Sequence, residues 1–320
     1  MLRLFRHNTL ARVAVIVATA LLLWGRAFVQ PVPMAATTHF APLYELLYGW
    51  LHELPRLASG LALLLVLLEA VWLNLMMHNH KIGQSGSLLP TLLFVLGMSW
   101  DSASLTLTPM VLGSLFVLGA VSQLLSDGSL LLSTGRNFGA ACCVGLAAMC
   151  LLPMLVYLLP LALVFFVYKM YRWRHWIVGL LGLLAPWIAL LLYGYLSGSL
   201  EAWLTRMGDD LVTVGLRYEL KPVGALLHGL LFDVLLLAGL MHLLGMGGDN
   251  VAYMRINTRV LSLPLLAAVL LVPYTALLPF DPQAAAVPFV FLGDLMLRTK
   301  RKRAWINETL FWIVYVGALL

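Results

Sequence analysis

The sequence predicts an all-α fold: a polytopic transmembrane helical bundle of about 11 segments, forming one domain over 1–320. Three observations carry that expectation. Hydrophobic residues make up 62% of the chain and charged residues only 11%, whereas a soluble domain carries about 25% charged residues. Asn137 to Tyr168 is a run of 32 residues without a charge, followed by Lys169, Arg172 and Arg174 and preceded by Arg136. Basic residues elsewhere also gather at the ends of apolar runs. The net charge of +6 therefore belongs to membrane flanks and does not point to nucleic acid.

The first span is expected at about 11–29, with Arg3, Arg6 and Arg12 before it. Its basic start, apolar centre and small residues at Ala35 and Ala36 superficially match a signal peptide. Arg26 and the aromatic, proline-rich loop that follows favour a retained helix. Within the outer loop 30–56, FAPLYELLYGWLHEL spaces apolar and aromatic residues helically around Glu45, His52 and Glu53. That reads as a periplasmic amphipathic helix at about 41–55, lying at the membrane surface. The second span, 57–77, contains Glu69 and Asn74, and a third runs from Leu88 to Trp100. Asp101 opens a polar turn, and Pro109 suits the first turn of a fourth span that ends near Ser126.

The uncharged run would make about 48 Å of helix against a hydrocarbon core of about 30 Å. Pro153 and Pro160 interrupt it. It is expected to be a hairpin of two short helices at about 138–168, turning near Leu152 and Pro153, with both basic ends in the cytoplasm. The aromatic and basic junction YKMYRWRHW suits a headgroup layer. Further spans follow at 175–196, 222–246, 260–279, 284–297 and 305–320. Residues 197–221 form the longest polar stretch and are expected as an outer loop, and PFDPQ as a tight outer turn. This layout puts fifteen Lys and Arg inside and five outside, namely Arg26, Arg56, Arg206, Arg217 and Lys221. The layout expects the N-terminus on the cytoplasmic side and the C-terminus on the outer, periplasmic side.

The segment LEAVWLNLMMHNHKIGQSGSLLPTLLFVLGMSW resembles a helix–loop–helix of the DUF6427 family of Bacteroidota inner-membrane proteins. The similarity continues through NFGAACCVGLAAMCLLPMLVYLLPLAL, RHWIVGLLGLLAPW and PFVFLGDLMLRTKRKRAWINETLF. The order of these loose, apolar motifs carries more weight than any one of them. Residues 197–221 match nothing in that pattern. The resemblance implies an inner-membrane location and leaves the chemistry open.

Acids inside a span cost about 2.5–3.5 kcal/mol on an insertion scale and mark functional candidates. Glu69, Asp233, Asp294 and Glu308 are the deep ones. Asn74 and His228 each lie five residues from Glu69 and Asp233 and so fall off their faces. Asp294 is four residues from Arg298, and Glu308 is within reach of Lys302 or Arg303. The commoner role of such residues is interhelical hydrogen bonding. The eight histidines form no HExxH or comparable ligand set, so no metal or cofactor is expected. Cys142, Cys143 and Cys150 sit in one apolar run and read as buried thiols. GMGGD at 245–249 follows an apolar span and reads as a helix C-cap.

The leading functional expectation is a non-enzymatic component or partner in envelope biogenesis or secretion. Its partners would be the lipid bilayer and other envelope proteins or lipid-linked glycans. An alternative is an enzyme acting on a polyprenyl-linked substrate at the outer face. Its acids would be Glu45, Glu53, Asp101, Asp209 and Asp210, with Arg206 and Arg217 binding phosphate. The first span, the outer helix and the second span are similar to the start of GT-C-type glycosyltransferases. Those carry an acid close behind the first helix, and 30–44 here has none. A second alternative is a transporter or flippase using Glu69 and Asp233.

Overall fold

The computed structural model describes residues 9–34, 36–37, 39–80, 88–100, 105–125, 133–168, 170, 172–212, 230–237, 282–290 and 304–318. Most of these are helical, and none of them lies in a strand. The span expected at 260–279, the 81–87 loop, GMGGD, Asp101, Arg217, His228, His242, Asp294 and the RTKRKR run lie outside the described residues.

The helices are α1 (Thr9–Val29), α2 (Pro42–Leu51), α3 (Pro55–Asn79), α4 (Leu89–Met98), α5 (Pro109–Leu124) and α6 (Thr134–Cys150). A 3-10 turn (Leu152–Tyr157) leads into α7 (Leu158–Val167), α8 (Trp173–Leu196) and α9 (Leu200–Val212). Beyond these come α10 (230–237), α11 (Pro282–Phe289) and α12 (Ala304–Gly317). Proline sets several starts. Pro42, Pro55 and Pro109 open α2, α3 and α5, where the missing N–H is unpaired in any case. Thr108 and Ser133 cap α5 and α6 through their side-chain oxygens.

The 137–168 run is not one helix. Leu151 is extended, and the Leu152 N–H donates to the Phe40 carbonyl at 3.1 Å. Pro153 and Pro160 fall in the first turns of the two elements that follow. The chain doubles back so that both ends meet the end of α5. Arg136 donates to the Leu125 carbonyl at 3.1 Å, and the Tyr168 hydroxyl to the Leu124 carbonyl at 2.7 Å.

Small residues let α6 and α8 pack closely. A Cβ on Gly182 would meet the Phe138 carbonyl oxygen at 2.4 Å, and one on Gly145 the Leu183 carbonyl oxygen at 2.7 Å. At the centre, α4 is buried along its length except for the half-buried Pro90. Trp24 of α1 donates to Ser99 at 2.9 Å, and Trp100 packs edge-on against Phe232 and Phe289.

Among the described residues three helices are long and apolar enough to cross a membrane: 12–29 of α1, α3 and α8. Leu89–Met98, Pro109–Leu124, Leu152–Val167 and Glu308–Gly317 are shorter apolar helical stretches. On α8, Leu180, Leu181, Leu184, Ile188 and Leu192 are exposed, as are Trp173 and Trp176 at one end and Tyr193 and Tyr195 at the other. From Trp173 to Tyr195 the helix rises about 33 Å, close to the thickness of a bilayer's hydrocarbon layer. This exposed apolar surface is compatible with a membrane protein.

Two elements differ from expectation. The 197–221 stretch contains α9, a helix with one packed side, where a polar loop was expected. α11 begins at Pro282, inside the expected PFDPQ turn. In the first place polar residues masked a helix whose apolar side is short; in the second the expected helix simply starts two residues early, at a proline suited to a first turn.

Candidate functional site

Among the described residues, the charged side chains that converge most closely lie where residues 39–45 meet α9. The turn between α8 and α9 sets up the meeting. Gly198 takes φ 70°, its N–H donates to the Tyr195 carbonyl, and the Ser199 N–H donates to the Gly194 carbonyl at 3.0 Å. This paired closure needs a left-handed residue, which glycine adopts without a Cβ penalty. The chain then reverses, and Trp203 stacks on Tyr193 with ring centres 6.1 Å apart. Gly194 leaves the room for that ring, since a Cβ there would meet it at 2.8 Å.

Trp203, Arg206 and Asp210 follow at i, i+3 and i+7, so α9 presents them together. Arg206 grips Glu45 with both terminal nitrogens, Nη1 to Oε2 at 3.1 Å and Nη2 to Oε1 at 2.5 Å. Its guanidinium also lies 6.0 Å from the centre of the Phe40 ring. The Glu45 hydrogen bonds push the Arg206 pKa above its ordinary value, against a smaller opposing effect of desolvation. Glu45 sits in the first turn of α2, where a negative charge also faces the positive end of the helix. One helical turn on from Arg206, Asp210 Oδ1 lies 2.6 Å from His39 Nδ1, and Asp210 Oδ2 accepts the Phe40 N–H at 2.9 Å.

The two pairs differ in weight. Glu45 and Arg206 are 34% and 48% exposed, and an ion pair so wet contributes about 0–1 kcal/mol. Asp210 is only 8% exposed. Its bonds fix the 39–40 backbone, which is also held from below by Leu152. A carboxylate at Nδ1 holds a histidine in one tautomer and orientation, the arrangement that general bases use. The guanidinium, with both terminal nitrogens on a carboxylate, is bound much as it would bind a phosphate.

Of the other sequence candidates, Glu53 is 83% exposed and 4.0 Å from His52. Asp209 is exposed on α9, and Glu308 is exposed on α12. Glu69 is fully buried on α3, with Oε2 2.8 Å from the Ser114 hydroxyl of α5. Asp233 is buried on α10, next to the Phe232 ring that stacks on Phe289. No hydrogen bond joins Glu69 to Asp233. Among the described residues no group of three His, Cys, Asp or Glu is placed to hold a metal ion.

The structure thus brings together Glu45, Arg206 and Asp210, and adds His39, which sequence reasoning missed. His39 and Asp210 are 171 positions apart, and no local pattern ties them. The i, i+3, i+7 spacing of Trp203, Arg206 and Asp210 was the available signal that 200–212 is a helix with a working face. Comparisons with protein-family models, curated proteins and solved structures found no match.

Proposed function

We propose that this is a multi-pass inner-membrane protein of about 11 segments whose outer-face platform, built from residues 39–45, α2 and α9, serves as a fixed partner in envelope biogenesis or secretion. On this reading the N-terminus is cytoplasmic, the C-terminus is periplasmic and the chain belongs with the DUF6427 family. The three long apolar helices, the exposed leucines of α8 and its aromatic ends support a bilayer. Short helices such as α4 are sheltered by their neighbours.

The observation that carries the partner role is the mutual neutralisation of the outer charges. Arg206 spends its fork on Glu45, and Asp210 accepts from two groups of the 39–40 segment. Such pairing fixes a surface. The second reading is an enzyme on a polyprenyl-linked substrate, favoured by the same convergence of an acid-oriented histidine and an arginine.

A charge exchange separates the two. Glu45→Arg and Arg206→Glu are made singly and together in a strain lacking the native copy, at equal protein level. Growth and envelope integrity are then scored. The platform role expects each single change to impair and the double change to restore. A double variant as defective as either single one would sink the platform role and favour direct use of Arg206 on a substrate.

A further inference from the structure

We infer that Glu69 is a buried proton-binding site, held as the neutral acid between α3 and α5. The inference goes beyond the platform at the outer face and does not depend on it. It starts from a count of protons. The Ser114 Oγ lies 2.8 Å from Glu69 Oε2 and also 2.8 Å from the Val111 carbonyl oxygen. A serine hydroxyl has one proton, so it can donate to only one of these acceptors. An ionised Glu69 has none to give, and one of the two short oxygen–oxygen contacts would then hold no hydrogen.

A protonated Glu69 supplies the missing hydrogen. Its Oε2–H donates to Ser114 Oγ, and Ser114 donates to the Val111 carbonyl, the local bond that serine makes within a helix. Each oxygen–oxygen contact then has its proton. The other carboxyl oxygen, Oε1, is buried without a hydrogen-bond partner. A neutral carbonyl oxygen tolerates that far better than a carboxylate does.

Among the described residues the surroundings supply no compensating charge. α4 and α5 carry no charged or titratable residue. α1 brings Arg12 and Arg26, of which Arg26 is exposed. α2 brings Tyr44, whose hydroxyl donates to the Leu107 carbonyl, Glu45, which Arg206 holds, and Tyr48, with His52 just past its end. α3 itself adds Arg56, His78 and the exposed end of the helix. Cys143 of α6 meets the neighbouring Gly119 and Trp72 region. Glu69 hydrogen-bonds Ser114 and none of these. Proton relays are one setting in which acids sit inside a bundle.

The test is infrared spectroscopy on the full chain in phosphatidylethanolamine–phosphatidylglycerol vesicles at neutral pH. Wild type minus Glu69→Gln should contain the carbonyl band of a protonated carboxyl and no carboxylate bands. Ser114→Ala, which removes the acceptor of that proton, should move the band to higher frequency. The Gln amide can still donate to Ser114, so its fold should hold. If it does not, the Ser114→Ala shift alone decides. Carboxylate bands in the difference spectrum, or an acid band indifferent to Ser114→Ala, would overturn the inference.

Discussion

Gly182→Ala tests whether backbone contact between α6 and α8 sets the geometry of the bundle. The new methyl would stand 2.4 Å from the Phe138 carbonyl oxygen and 3.1 Å from the Ala141 Cβ. Real Cβ contacts essentially never fall below 3.0 Å, so α6 and α8 must separate by at least 3.0 minus 2.4, or 0.6 Å. The obstacle is a main-chain oxygen, and no rotamer change removes it. Overpacking of this kind costs about 1–3 kcal/mol, opposed by about 1 kcal/mol from the better helix propensity of alanine. Gly25→Ala on α1 is the control, because a Cβ there meets nothing within 4 Å. It gains the propensity without the clash. The difference between the two variants isolates the steric cost and should be about 1–3 kcal/mol, with Gly182→Ala the less stable. Unfolding followed by circular dichroism in detergent, at matched protein concentration, measures it. A Gly182→Ala protein as stable as Gly25→Ala would refute the close packing of α6 on α8.

Three further outcomes follow from the same structure. Gly113→Ala should cost less than Gly182→Ala although its nominal overlap is larger. The atoms it meets are the thioether end of Met154, which can swing aside, and the same unfolding assay ranks the two. A double-mutant cycle of Glu45→Ala and Arg206→Ala should return a coupling of about 0–1 kcal/mol, as for a pair this exposed; a coupling several times larger would mean that water is excluded there. Tyr44, buried on α2, has its phenol pushed up from 10.0 to about 12 by burial, with a further push from Tyr48. The folded protein therefore holds this proton more tightly than the unfolded chain, so the contribution to stability is full below pH 10.0 and is lost as the pH rises toward 12. Ultraviolet titration should find one phenol ionising late that is missing from Tyr44→Phe, and an ordinary titration of all tyrosines would count against the burial.

The helices were legible because apolar runs here are punctuated by proline. Pro42, Pro55 and Pro109 start helices, and Pro153 marks the break. The doubling back of 137–168 was legible from its length together with Pro153, Pro160 and the basic residues at both ends. α9 was hidden because Glu201, Arg206, Asp209 and Asp210 made its stretch read as polar, while its single packed side rests on Trp203 and Asp210. The cluster between residues 39–45 and α9 was half visible. Glu45, Arg206 and Asp210 were candidates by residue type, but their pairing spans 161 and 171 positions and depends on a turn at Gly198 that no spacing announces. Glu69 was similar. Asn74, its neighbour in sequence, lies off its face, and the actual partner, Ser114, comes from another helix.

The burial of α4 bears on how the chain is made. It has almost no outward side of its own. α1 and α3 are already in place when it emerges, yet Gly97 faces Ala286 and Phe289, and Trp100 faces Phe232 and Gly317. That flank is filled only by α10, α11 and α12, which follow α4 far along the chain, so the middle of the molecule is completed by segments made well after it.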